Sequence, residues 1–112
     1  MTKQMKCAMD VAKVLAKHEA HGDVSIYVDH KRYSVNADGT LRYDIDAEAK
    51  DYFEYAGDFL SMSFEGILYD YINYSFEFRY TPKVLVELDK VFKKYGKYYE
   101  LGNAWNLSLY NL

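Results

Sequence analysis

The stretch VSIYVDHKRYSVNADGTLRYDI, residues 24–45, decides the fold. Val24, Ile26 and Val28 alternate with Ser25 and Tyr27, the period-two pattern of a half-buried strand. Asp29-His30 supplies a tight turn, and Arg32-Tyr33-Ser34-Val35 resumes the extended pattern. Asn36-Ala37-Asp38-Gly39 makes the next turn: Asn and Asp bond their own backbone, and glycine takes positive φ without steric cost. Leu41, Tyr43 and Ile45 then alternate with Arg42 and Asp44. Three strands with such short connections predict an antiparallel meander, apolar on one face and wet on the other.

Upstream, Thr2 caps a predicted amphipathic helix with Met5, Met9, Ala12, Leu15 and Ala16 on its apolar stripe and Gly22 as its terminator. Downstream, the apolar positions Phe53, Ala56, Gly57, Leu60, Phe64, Ile67, Leu68 and Tyr71 fall on one helical stripe. The pattern predicts helix from about residue 47 to 74, with Asp46 as N-cap. Gly57, Ser61, Ser63 and Gly66 favour a break into two pieces, the second capped by Ser63. Ser75–Tyr80 alternates as a short strand. Thr81-Pro82 starts a helix carrying Val84, Leu85, Leu88, Val91, Phe92 and Tyr95, ended by Gly96. The tail, with Trp105, Leu107 and Leu109, is expected to be extended and to pack back on the domain. The expected class is α+β: an N-terminal helix, a three-stranded antiparallel meander, then two or three helices with one or two short late strands, in a single domain over residues 1–112.

Composition narrows the function classes. The chain has 112 residues, half of them hydrophobic, 28% charged, and one proline, which excludes collagen and disordered tails. A lone Cys7 makes no internal disulfide, and no apolar run is long enough to span a bilayer. The expected location is the cytoplasm of a bacterial host cell, with no membrane contact. Direct nucleic-acid binding is not expected from a net charge of −3.

That modest net charge hides an uneven distribution. Residues 1–43 carry +2 and residues 78–112 carry +3, while residues 44–77 carry −8. In helical register Glu48, Asp51, Glu54, Asp58 and Glu65 share one exposed arc with Tyr55, Met62 and Tyr69, opposite the core stripe. A merely solvated face needs the charges but not the rings. Carboxylates pair with arginine, and tyrosine and methionine are enriched at protein interfaces. The candidate partner-binding residues are therefore Asp44, Asp46, Glu48, Asp51, Glu54, Tyr55, Asp58, Glu65, Tyr69 and Asp70.

Other chemistries find less support. His18, His21, His30 and Cys7 lack the tight spacing of a four-ligand zinc site. Cys7, beside Met5 and Met9, reads as a small core residue rather than a nucleophile. No G-x-S-x-G elbow, Walker loop or dinucleotide-binding glycine motif is present. Neither a catalytic residue, nor a metal, nor a cofactor is expected. Lys90, Lys93, Lys94 and Lys97 lie among Tyr95, Tyr98 and Tyr99; such a patch suits phosphate pairing and stacking, and equally suits a helix C-terminus.

The order helix, meander with an Asn36-Ala37-Asp38-Gly39 turn, then acidic segment resembles the small Cas9-inhibiting anti-CRISPR proteins of phages and prophages. The resemblance spans residues 3–60 and rests on element order and charge. It implies mimicry of DNA: acidic side chains presented to a basic nucleic-acid-binding groove. The expectation is a non-enzymatic, stoichiometric inhibitor from a mobile genetic element, acting on a CRISPR–Cas or similar defence nuclease. The alternatives are a self-associating scaffold domain, a homodimer burying its tyrosines, and a small nucleic-acid binder using the Lys90–Lys97 patch.

Overall fold

Thr2 opens the chain's first helix, its Oγ1 accepting from the Met5 amide at 3.0 Å. The computed structural model describes residues 1–74 and 80–112. This helix, α1, spans Lys3–Lys17. Its buried stripe is Cys7, Ala8, Val11, Ala12 and Leu15, one step round from the expected stripe, and Met9 faces outward. Its terminator is Glu19 in the left-handed region (φ 54°), not Gly22. The Ala20 and Glu19 amides cap the Leu15 and Ala16 carbonyls at 2.8 and 3.1 Å, which satisfies the last turn without glycine.

The meander forms as expected: β1 Val24–Val28, β2 Lys31–Val35 and β3 Leu41–Asp46. Gly39 takes φ 86° in the β2–β3 turn. The meander is, however, only half of a six-stranded antiparallel sheet of order β3-β2-β1-β4-β6-β5. The remaining strands are β4 Ser61–Phe64, β5 Lys97–Asn103 and β6 Asn106–Asn111. The tail is thus extended as expected, and it forms a hairpin of two strands, β5 and β6.

The expected helix over 47–74 is the main correction. Only a 3-10 turn at Ala49–Asp51 and a short helix, α2, at Ile67–Asn73 form there. Ser63 caps nothing, because it lies within β4; Asp46 is the last residue of β3. Leu60 and Phe64 fit a helical stripe and a period of two equally well, whereas Met62 fits only the period of two. What decides is the slot between β1 and β6. In it β4 makes backbone ladders on both sides and buries Leu60, Met62 and Phe64 to 1% exposure or less. The strand expected over Ser75–Tyr80 lies on residues 75–79, outside the described residues. A third helix, α3, runs Lys83–Lys94 one residue after the expected start, with Pro82 as its N-cap and Gly96 (φ 73°) beyond its end.

Period two sorts the sheet into two faces. Val24, Ile26, Val28, Met62, Phe64, Leu107 and Leu109 join α1 and α3 in the main core. On the other face stand Ser25, Tyr27, Arg32, Ser34, Ser61, Ser63, Asn106 and Ser108, aligned by the strand register. Half of that face is roofed by the 47–59 segment, whose Phe53 packs edge-on against Tyr27 (5.4 Å) and Trp105 (5.8 Å). Both sheet edges carry a register shift, near Asp44 in β3 and between Leu101 and Asn103 in β5, which discourages strand addition.

Candidate functional site

The ten candidate residues do not form one helical face; they divide into two groups. Seven follow one another along residues 44–58: Asp44 and Asp46 on β3, then Glu48, Asp51, Glu54, Tyr55 and Asp58 on the segment that roofs the sheet. Glu65, Tyr69 and Asp70 lie at the other end of the sheet. The Ala47 amide bonds His30 at the β1–β2 turn, whereas the Glu65 amide bonds Asp23 before β1. Between them β4 alone covers roughly 10 Å at about 3.3 Å per residue. Tyr69 packs partly buried against the core, and Met62 is wholly buried, so neither stands on an exposed face as expected.

Within the first group, charges differ in what they already hold. Asp44 accepts from Nε and Nη2 of Arg32 at 2.8 and 2.6 Å. Asp46 accepts from the Tyr43 hydroxyl at 2.9 Å, with Lys31 at 3.9 Å, and Glu48 pairs with His30. Asp51, Glu54 and Asp58 make no ion pair among the described residues, and all three are exposed. Beside them Tyr52 and Tyr55 are 48% and 62% exposed. Phe53 explains this presentation: by burying its ring on the sheet it turns its neighbours outward.

The C-terminal lysines are largely engaged within the chain. Lys94 holds Asp10 at 2.9 Å and Lys93 holds Asp89 at 2.8 Å. The Lys97 ammonium sits over the Phe59 ring at 4.3 Å. Tyr95 is buried and donates to Asp10 at 2.6 Å. Burial against Asp10 pushes the Cys7 thiol up to about 12, so this sulfur stays protonated and unreactive. No group of three His, Cys, Asp or Glu side chains that could hold a metal ion occurs among the described residues. No helix among them is long and apolar enough to cross a membrane.

A second feature was not read from the sequence. The unroofed part of the polar sheet face forms a groove of about 580 Å³. Ser34, Ser25 and Ser63, in register on adjacent strands, form its floor; Arg32 and Arg42 stand on one side, and Asp23 and Glu65 at the β4 end. Tyr27 and Trp105 complete the lining. The signal is present in the polar positions Ser25, Ser34 and Ser63. Ser25 reads equally as the wet side of a meander, Ser34 as part of an extended run and Ser63 as a helix breaker.

No protein-family model, curated protein or solved structure matches the chain.

Proposed function

We propose that this protein is a non-enzymatic binding protein that docks its 44–58 surface into a basic groove of a nucleic-acid-binding partner and blocks that groove by occupancy. The observation that carries this reading is the segment Asp51–Asp58. It offers Asp51, Glu54 and Asp58 without internal counter-ions, interleaved with exposed Tyr52 and Tyr55, on a backbone pinned by Phe53. Unpartnered carboxylates lose nothing internal when they meet arginine, and exposed rings gain by burial. Asp44, Asp46 and Glu48 extend the surface as a rim. Glu65, Tyr69 and Asp70 play no part in it. A CRISPR–Cas or similar defence nuclease is the partner class that the resemblance to anti-CRISPR proteins implies.

The test is a charge reversal of Asp51, Glu54 and Asp58 to lysine, read as inhibition of DNA cleavage by such a nuclease over a range of salt. The expected result is loss of inhibition in the variant, and inhibition by the native chain that weakens as salt rises. Full inhibition by the variant removes the segment from the mechanism.

Self-association is the second reading, favoured by Tyr43 and Ile45, which are 52% and 38% exposed on the edge strand β3. Light scattering decides it: a dimer that Tyr43→Ser dissociates supports this reading against the first.

A further inference from the structure

We infer that the open groove on the polar sheet face is a binding site for a single nucleotide, with its phosphate at Arg42 and its base toward Trp105. This does not depend on the docking reading, because no residue of the 51–58 segment lines the groove.

The floor is the first argument. On the neighbouring, roofed half of this face the Phe53–Tyr27–Trp105 cluster fills the space above the strands with large side chains. Here three consecutive strands place Ser34, Ser25 and Ser63 side by side instead. That leaves a concavity of about 580 Å³, within the size range of small-ligand pockets, floored by hydroxyls that both donate and accept.

Charge placement is the second. Arg32 is occupied by Asp44, but Arg42 is exposed and has no carboxylate partner among the described residues; its Nη1 donates only to the Asn36 side chain at 3.1 Å. A guanidinium fork with spare donors beside serine hydroxyls suits an oxyanion. Asp23 and Glu65 also line the groove. They repel a second phosphate, which disfavours a continuing strand, and they accept hydrogen bonds from ribose hydroxyls or exocyclic amines. Between these groups the partly exposed Trp105 offers aromatic surface to a base.

The third argument is what the protein leaves unsatisfied. His21, on the groove wall, has a buried Nδ1 without a hydrogen-bond partner. Buried polar groups are rarely left so, and this one on the groove wall points to a hydrogen bond completed by a ligand.

Trp105 is the only tryptophan, so its emission reports this groove directly. The experiment titrates the whole chain with AMP, GMP, CMP and UMP, and separately with adenosine and inorganic phosphate, following Trp105 emission with calorimetry in parallel. Saturable binding of at least one nucleoside monophosphate is expected, weakened at least tenfold by Arg42→Ala and also by Arg42→Lys, which keeps the charge but loses the fork. Ser25→Val, which fills the floor, is expected to abolish binding while circular dichroism stays native. Absence of saturable binding by all four nucleotides overturns the assignment. So does binding of inorganic phosphate as tight as that of the nucleotides, or wild-type affinity in both Arg42 variants.

Discussion

Arg32 on β2 grips Asp44 on β3 through two nitrogens, Nε at 2.8 Å and Nη2 at 2.6 Å, at the register shift of the edge strand. The same guanidinium lies over the Tyr52 ring at 5.5 Å, so one side chain ties the edge strand, the roof segment and the polar face together. Arg32→Ala is therefore expected to destabilise more than Asp44→Ala. A double-mutant cycle read by urea unfolding should give a coupling of about 0.2–1 kcal/mol, since both groups are partly solvated. A coupling of zero at low salt would contradict the structural role given to this pair.

Acid should loosen the seam between α1 and α3. Hydrogen bonds from Lys17 and His18 hold the Glu87 carboxyl down to about 2, from an ordinary value of 4.5. Asp10, raised by partial burial, is lowered further than that by hydrogen bonds from Tyr95 and Lys94, and ends below its ordinary value. Because both carboxyls sit lower in the folded chain, their contribution is complete above pH of about 4.5 and is lost as pH falls toward about 2. Urea midpoints measured across that window should fall, and Glu87→Gln should flatten the fall. An equally steep fall in the Gln variant would assign the effect elsewhere.

Two glycines make a sharp contrast. A Cβ on Gly66 would stand 2.7 Å from the Gly22 carbonyl oxygen, whereas one on Gly22 meets nothing within 4 Å. Gly66→Ala should cost about 1–3 kcal/mol by forcing two backbones apart. Gly22→Ala should be neutral or slightly stabilising. Denaturant melts of the two variants check this, and equal midpoints would refute the close approach.

Met62 and Tyr55 separate strand from helix over the acidic stretch. Met62→Ala should cost about 2–5 kcal/mol, because its side chain is wholly buried between β1 and β6. Tyr55→Ala, at 62% exposure, should change stability by no more than about 0.5 kcal/mol. A single surface-exposed helical face would give small effects at both positions.

Cys7 should resist thiol reagents in the native chain at neutral pH and react only on unfolding, since its sulfur is buried and its titration lies near 12. Labelling with and without urea measures this; rapid native labelling would show that α1 opens readily.

Local rules were legible wherever a segment's own residues settled its conformation. Thr2, the Asn36–Gly39 turn, the alternation of Val24–Val28 and the Pro82–Gly96 bracket each act over a few bonds, and all four appear within a residue of their expected places. Residues 47–74 were not legible as strand, because Leu60 and Phe64 fit a helical stripe and a period of two at once. The choice was made by distant partners: β1 on one side of β4, and β6, more than forty residues later, on the other.

The same division holds for the candidate sites. Sequence alone determined that negative charge concentrates over residues 44–77 and that tyrosines share that stretch, since composition needs no fold. Only tertiary structure decided which of those charges stay unpaired, by packing Phe53 onto Tyr27 and Trp105 and by bringing Arg32 to Asp44. It alone assembled the serine-floored groove, whose residues come from the chain just before β1 and from five segments thereafter, and meet only through strand register. The physical reason is range: turns and caps are fixed by neighbours in sequence, whereas burial and ladder hydrogen bonds are fixed by neighbours in space.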